Sequence, residues 1–308
     1  MKIILTITLL LTHALFARSF FAFDNGLTDL KSPEKQAALL AELGYDGLVG
    51  RVGNHARMLK ALDQRGLKLG ATYLVLNANA TSCPVPDKVV SELKALKGRE
   101  TKVWLAVNGR STDEIVVPSI RKVCDLGAEL GLEVVLYPHT NFHTDTVASC
   151  LRLLRQVERK NLGVSFNLCH FLKQSDPADL EKTIRAAAPH LKLVSINGAD
   201  TGDTRAMGWD RLIRPLGEGS FEVSQMLKLL DEIGYRGPVG LQCYAIKQPA
   251  TVHLAKSMDA WRRLTGDSQA TVPAKVPELP LPWPSDIAPR PRLPSEAAST
   301  TRSRPASP

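Results

Sequence analysis

Along residues 20–265, short apolar runs alternate with longer stretches of amphipathic pattern. Eight of these runs are rich in Val, Leu and Ile and are apolar at nearly every position, which is typical of strands buried on both faces of a parallel sheet. The runs span residues 20–26, 47–52, 69–77, 102–109, 133–139, 162–170, 191–198 and 238–244. Eight strand–helix units in about 250 residues predict an α/β protein, a single (β/α)8 TIM barrel, rather than an open doubly wound sheet.

The amphipathic stretches carry signals for the beginnings and ends of helices. In SPEKQAALLAELG (32–44), Ser32 is a suitable N-cap, Pro33 fits the first helical position and Gly44 marks the end. Further helices are predicted within 112–131, 145–158, 176–188 and 221–234.

The two ends of the chain differ from the barrel in composition. Residues 1–19 begin with a short basic start and an apolar run, MKIILTITLLLTHALFA, and are interpreted as a signal peptide that exports the protein to the periplasm or the extracellular space. An uncleaved membrane anchor is the alternative, but the run is short for a span of about 20 residues, so no stable membrane insertion is expected. Residues 266–308 contain half of the 20 prolines and are predicted to form a disordered tail.

Charge and cysteine content exclude some functions. The formal net charge is +8, but Lys and Arg alternate with Asp and Glu and form no basic stripe with aromatic residues, so no nucleic-acid partner is predicted. The five cysteines contain no CxxC pair, which argues against a zinc knuckle or a redox motif. Apolar surroundings predict that Cys124, Cys150 and Cys169 are small core residues.

Polar side chains stand at nearly every predicted strand end, where a barrel of this kind carries its functional site. Neutral amides dominate, and these suit the hydroxyl groups of a small sugar or polyol better than a bare cation. The residues predicted to bind substrate are Arg51, Asn108, Tyr137, Asn167, Asn197, Trp209 and Gln242.

Five motifs follow one another at these strand ends: YPH (137–139), NLCH (167–170), NGAD (197–200), LGEGSFE (216–222) and GLQ (240–242). In the order and spacing of these motifs, residues 20–265 resemble the xylose-isomerase-like TIM barrels, the superfamily of sugar phosphate isomerases and epimerases and of AP endonuclease family 2. The resemblance implies a site at the C-terminal strand ends and a divalent metal such as Mn, Mg, Zn or Co.

The residues at the implied metal positions differ from those of the family. The resemblance implies ligands of the types Glu, Asp, His and Glu, where this chain has Tyr137, Asn167, Asn197 and Gln242. A hard divalent cation needs anionic oxygen ligands to offset its dehydration. We therefore predict a divergent member with no metal and no other cofactor. A rearranged metal site through His139, His170 and either Glu218 or Asp200 stays open.

Three residues in these motifs are candidates for acid/base chemistry: His139, His170 and Asp200. Imidazoles exchange protons near neutral pH. The alternative for both histidines is a structural role in shaping the pocket, and the alternative for Asp200 is a turn. Trp209 could stack on a sugar face or only cover the barrel mouth.

The resemblance implies an isomerase or epimerase that moves a proton next to a carbonyl group of a sugar or polyol. The alternative is a non-catalytic carbohydrate-binding barrel. A DNA-repair nuclease is disfavoured, since that chemistry needs a metal cluster that the strand ends lack. An oligomer stays open.

Overall fold

The computed structural model describes residues 18–51 and 55–266. Eight parallel strands, β1 to β8, form a closed barrel in chain order, and β1 pairs with β8 to complete it. The predicted single (β/α)8 barrel is confirmed. The predicted leader (1–19, apart from Arg18 and Ser19) and the predicted tail (266–308, apart from Gly266) lie outside the described residues.

The strands are short, and almost all of their side chains are buried. Their bounds are β1 Phe20–Phe23, β2 Gly47–Arg51, β3 Lys68–Asn77, β4 Lys102–Asn108, β5 Val134–Leu136, β6 Leu162–Asn167, β7 Leu191–Ile196 and β8 Val239–Leu241.

Helices follow the strands on the outside of the barrel. Their bounds are α1 Pro33–Leu43, α2 His55–Asp63, α3 Asp87–Lys94, α4 Asp113–Leu130, α5 Val147–Val157, α6 Leu168–Gln174, α7 Leu180–Ala187, α8 Trp209–Leu212, α9 Val223–Glu232 and α10 Ala250–Thr265. The predicted ends of α1 are confirmed: the Ser32 hydroxyl accepts a hydrogen bond from the Lys35 amide, and Gly44 is left-handed at φ 86°. None of the described helices is both long and apolar enough to cross a membrane.

The barrel has two separate apolar cores. The larger core lies between the sheet and the helices, and it contains Cys124 and Cys150 as predicted. The smaller core fills the barrel interior with side chains from alternate strand positions. Its members are Phe21, Phe23, Val49, Ala71, Trp104, Ala106, Val135, Tyr137 and Leu193. Several members of this inner core line the cavity at the C-terminal ends of the strands.

Several strands end earlier than their apolar runs, and two of these early ends, in β5 and β6, place candidate site residues. β5 stops at Leu136, and the following YPH motif is in a loop, since Pro138 has no N–H to donate to a neighbouring strand. β6 stops at Asn167, whose side chain accepts a hydrogen bond from the His170 amide and caps α6. His170 is therefore on the first turn of a helix and not on a strand.

Candidate active site

A cavity of about 270 Å³ opens at the C-terminal ends of the barrel strands. This is close to the lower end of the range for small-molecule sites, about 300–1,000 Å³. Its aromatic walls come from Phe23, Tyr73, Trp104, Tyr137, Trp209 and Tyr244. Its polar groups belong to Asp24, Asn25, Arg51, His139, His170 and Gln242. Flat aromatic faces beside a few polar groups suit a small ring compound with hydroxyl or carbonyl groups.

Six of the ten predicted site residues line this cavity, namely Arg51, Tyr137, His139, His170, Trp209 and Gln242. A seventh, Asn167, is fully buried just behind the wall and hydrogen-bonds Tyr137. The strand-end rule therefore predicted most of the residues that meet at this cavity.

The other three predicted site residues do not line the cavity. Asn108 donates to the Asn77 side chain on the neighbouring strand. Asn197 is fully buried and donates to backbone carbonyls of the loop after β7. Asp200, predicted as an acid/base group, forms ion pairs with Arg211 at 2.9 Å and Arg214 at 2.8 Å, and these lower its pKa. Asn108 thus links the ends of β3 and β4, and Asn197 and Asp200 hold the segment after β7.

His139 presents an unprotonated nitrogen to the cavity. Its Nδ1 lies 3.1 Å from the Thr140 carbonyl oxygen, which only accepts hydrogen bonds, so Nδ1 carries the proton. Burial lowers the His139 pKa, so the ring is neutral near pH 7 and Nε2 has a free lone pair. No described residue hydrogen-bonds this Nε2 atom. The ring packs on Phe142, with 4.0 Å between ring centroids.

The loop that carries His139 is tied to the start of α4 through Asp113. The carboxylate of Asp113 accepts hydrogen bonds from Arg152 and Gln156 and lies 2.9 Å from His143 Nε2. His143 thus faces away from the cavity, in the loop before α5. The Arg152 guanidinium is the main reason that the Asp113 pKa falls to about 2.

We expect Asp113→Asn to destabilise the fold by about 1–2 kcal/mol at pH 6, after allowance for the partial exposure of Arg152. Because the folded-state pKa lies below the ordinary 3.8, this stability is present above pH 3.8 and is lost as pH falls towards about 2. Urea unfolding at several pH values measures it. The exposed Asp125, paired with Arg159, is the matched control, and Asp125→Asn should cost less. A cost for Asp113→Asn that is the same at pH 6 and pH 3 would contradict the ion-pair explanation.

Tyr137 and His170 form the inner part of the site. The Tyr137 ring stacks on Trp104, with 3.8 Å between ring centroids, and its hydroxyl lies 3.1 Å from His170 Nε2. Burial raises the Tyr137 pKa well above its ordinary value and lowers that of His170, so both side chains are neutral.

The loop after β7 covers this inner part. Lys173 on α6 donates to the Arg205 and Met207 carbonyl groups at 2.7 Å, which fixes the loop over α6. Trp209 consequently meets His170 edge-on, with ring centroids 5.3 Å apart. Of the two alternatives for Trp209, the structure permits both, since it lines the cavity and also covers the barrel mouth.

Asp24, Tyr73 and Trp104 are among the cavity residues to which the sequence assigned no role. Asp24 follows β1, accepts the Arg51 backbone N–H at 2.9 Å, and has a pKa raised by burial. Tyr73 and Trp104 are in the middle of apolar runs, where nothing distinguishes an inward residue from an outward one. The signal available was the strand alternation, which places every second side chain inside the barrel.

The residues at the implied metal positions do not fit a divalent cation. The Gln242 oxygen already accepts hydrogen bonds from three N–H groups, and the Asn167 oxygen accepts from His170 and from a thiol. The Asn197 oxygen is buried without a partner among the described residues, but Asn197 does not line the cavity. Tyr137 offers a neutral phenol. A hard cation needs several oxygen lone pairs directed at one point, and these side chains do not supply them.

The rearranged metal site is not assembled either. Glu218 is paired with Lys256 at 3.1 Å, and Asp200 with its two arginines. Neither carboxylate lines the cavity with His139 and His170.

Comparison with known proteins agrees with the fold. The family model described as xylose isomerase-like TIM barrel matches residues 37–264. A 3-dehydroshikimate dehydratase of Bacillus anthracis is 34% identical over 85 residues, which are 27% of this chain and 30% of that protein. The chain thus matches less than a third of the length of this curated relative.

Solved structures of similar fold are distant in sequence. A probable 3-DHS dehydratase from Bacillus anthracis has a TM-score of 0.64 at 18% identity, covering 80% of this chain and 98% of that one. The 3-keto-D-glucoside 4-epimerase of E. coli has a TM-score of 0.61 at 15% identity, covering 80% and 99%. A D-allulose 3-epimerase from Methylomonas sp. has a TM-score of 0.57 at 19% identity, covering 82% and 96%.

At these low sequence identities, the structural likeness establishes the barrel fold and nothing further. The family match extends over more than two thirds of the chain and ends within the last helix, α10. Together with the closed eight-stranded barrel and the cavity at its C-terminal strand ends, it shows that the chain belongs to the family of xylose isomerase-like TIM barrels.

Proposed function

We propose that this protein catalyses proton transfer next to a carbonyl group of a sugar or polyol, as an isomerase or epimerase, and does so without a divalent metal. The observation that carries the proposal is the neutral His139 with its unprotonated Nε2 open to an aromatic-walled cavity. A neutral imidazole is a suitable general base near pH 7.

Two further observations support a substrate of this kind. The cavity is small and its polar groups are mostly neutral, which suits hydroxyl and carbonyl groups. The relatives include epimerases of a keto-glucoside and of allulose and a dehydratase of 3-dehydroshikimate. Each of these names indicates a compound in which a proton next to a carbonyl group can be removed.

A second acid/base group supports epimerisation in particular. Asp24 follows β1, and His139 follows β5, which is four strands away in an eight-stranded barrel. The two groups thus approach the cavity from opposite sides. Inverting a carbon centre requires removal of a proton from one face and its return to the other, and two facing groups provide this.

The test is exchange of substrate protons with deuterium oxide, followed by NMR, over a panel that contains keto-sugars, D-allulose, a 3-keto-glucoside and 3-dehydroshikimate. We expect deuterium next to the carbonyl group of at least one compound, at the same rate with a chelator present and with Mn, Mg, Zn or Co added. Exchange that requires an added metal would contradict the metal-free proposal.

The alternative is a non-catalytic carbohydrate-binding barrel, which the aromatic walls favour, because sugar faces stack on aromatic rings. Binding of a panel compound by calorimetry, with no exchange of its protons over hours, would support this alternative and contradict an isomerase.

A further inference from the structure

Three side chains surround the hydroxyl oxygen of Tyr137. Asn167 Nδ2 and His170 Nε2 each lie 3.1 Å from it, and the Gln242 side chain is near enough to act against the rise in the Tyr137 pKa. What this oxygen can do depends on which of these neighbours donate and which accept.

Asn167 donates to Tyr137. Its Oδ1 atom already accepts a hydrogen bond from the His170 backbone N–H at 3.4 Å and one from the Cys169 thiol at 3.1 Å. The amide is thereby fixed with its oxygen towards α6 and its NH2 group towards the phenol. The contact with Tyr137 is therefore an N–H donor to the phenol oxygen.

Gln242 presents its NH2 group to Tyr137. Its Oε1 atom accepts a hydrogen bond from the Asn25 side-chain amide at 2.7 Å. The backbone N–H groups of Cys243 and Tyr244 donate to the same oxygen, each at 3.0 Å. With its oxygen held by three donors, Gln242 has its NH2 group left for the phenol, and this contact favours the phenolate form of Tyr137.

His170 is the third donor. The backbone N–H of Thr140 donates to His170 Nδ1 at 3.2 Å, and because a backbone N–H cannot accept a hydrogen bond, Nδ1 is unprotonated. The Thr140 hydroxyl, 3.0 Å from the same nitrogen, is then a second donor to it. A neutral imidazole carries one proton, which is then on Nε2. This Nε2–H group donates to Tyr137, 3.1 Å away.

All three neighbours thus present N–H groups to one oxygen, and the Tyr137 hydroxyl has no acceptor for its own proton among the described residues. Tyr137 lines the cavity, so an acceptor on a bound ligand can take that proton. We propose that Tyr137 is the catalytic acid of this site and donates its proton to the substrate carbonyl oxygen. The N–H groups of Asn167, His170 and Gln242 stabilise the phenolate that remains. This role of Tyr137 rests on the proton transfer proposed above.

The step balances with the residues present. His139 Nε2 takes the proton from the carbon next to the carbonyl group, and the C–H electron pair forms a carbon–carbon double bond. The carbonyl π pair moves onto oxygen, which takes the proton of the Tyr137 hydroxyl. The products are an enol, an imidazolium and a phenolate. Return of one proton to carbon and of the other to Tyr137 restores both side chains. No metal or redox partner takes part.

Tyr137→Phe tests this role, because it removes the hydroxyl and keeps the ring stacked on Trp104. Loss of one donor to a developing oxyanion lowers rates by about 10²–10³-fold, and we expect a fall of that size in the deuterium exchange rate. The matched control is Tyr45→Phe, which removes a buried hydroxyl that bonds the Leu254 carbonyl far from the cavity. Exchange by the Tyr45 variant should match the wild type. An exchange rate in Tyr137→Phe equal to the wild type would overturn the proposal.

Gln242→Glu tests the donor arrangement at constant shape. One carboxylate oxygen keeps the three N–H contacts, while the other replaces an N–H donor by an acceptor that binds the Tyr137 proton. With a chelator present, we expect deuterium exchange at least about tenfold slower than in the wild type. An unchanged rate would contradict the proposal that Gln242 presents an N–H donor to Tyr137.

A binding experiment separates this proposal from the proposed function. Calorimetry compares each keto compound of the panel with its reduced alcohol, in the wild type and in Tyr137→Phe. We expect the wild type to prefer the keto form several-fold and the variant to lose this preference. If this result were obtained with no proton exchange in any compound, Tyr137 would remain a hydrogen-bond donor to the substrate carbonyl group. The proposed isomerase function would then be contradicted. A preference that is equal in both proteins, or absent in both, would overturn the role of Tyr137.

Discussion

Replacing His139 by alanine is expected to slow deuterium exchange by about 10²–10⁴-fold, the range for loss of a general base. The reason is that Nε2 of His139 is the unprotonated imidazole nitrogen open to the cavity, whereas His170 uses its Nε2–H to bond Tyr137. Affinity for the substrate should change far less than the rate. Added imidazole should restore part of the activity, since it can occupy the space left by the ring.

The pH dependence provides a second measurement of the same prediction. Burial lowers the His139 pKa below the ordinary 6.5, so the base form dominates at neutral pH. The exchange rate should therefore rise as pH increases through the lowered pKa and then level off. This increase of the exchange rate with pH should be absent in His139→Ala.

The matched control is His190→Ala, which removes an exposed imidazole at the start of β7, at the opposite end of the barrel. Exchange at the wild-type rate is expected from it. If His139→Ala exchanged protons as fast as the wild type, the base would have to be another group, and Asp24 would be the first to replace.

Replacing Trp104 by alanine is expected to lower the free energy of unfolding by about 3–5 kcal/mol, as for other large aromatic residues removed from a core. Trp104 is 1% exposed, stacks on Tyr137 at 3.8 Å, and meets Phe23 edge-on at 5.2 Å. Its indole N–H donates to Ser165 at 2.8 Å. The cavity left behind would sit directly under the site, so exchange should slow as well.

Urea unfolding followed by circular dichroism measures this effect. Trp104→Phe keeps most of the ring and should cost less, because the volume loss is smaller and Ser165 still bonds the Leu136 carbonyl. The control is Tyr244→Ala, since Tyr244 is 51% exposed and surface changes usually stay within about 0.5 kcal/mol. A cost for Trp104→Ala below about 1.5 kcal/mol would mean that the barrel interior is not packed around the indole.

These two predictions are connected through Tyr137. Its ring is held by Trp104 on one side, and its hydroxyl is hydrogen-bonded to Asn167 and His170. The packing of the inner core therefore also sets the position of the Tyr137 hydroxyl and its hydrogen bonds. A destabilising substitution in the inner core should accordingly also slow the reaction, whereas a destabilising substitution in the core between the sheet and the helices should not.

Sequence patterns predicted some local features of the site correctly. Ser32 and Gly44 delimit α1 as expected, because cap signals act over a few residues. The histidines were assigned to the correct end of the barrel, because every parallel strand delivers its last residues to the same rim. His170 was placed on a strand rather than a helix, since an apolar run does not reveal where an N-cap such as Asn167 ends it.

The sequence by itself determined the barrel and the end of it that carries the site, since strands buried on both faces must be apolar throughout and their order along the chain sets their order in space. Only the tertiary structure decided which polar strand ends face the cavity. Asp200 is drawn to two arginines and Asn197 to a loop, whereas Asp24 and Trp104 turn inward. It also decided that the amides at 167 and 242 direct N–H groups at Tyr137, because the partners that fix them, such as Asn25 for Gln242, are brought together only when the barrel closes.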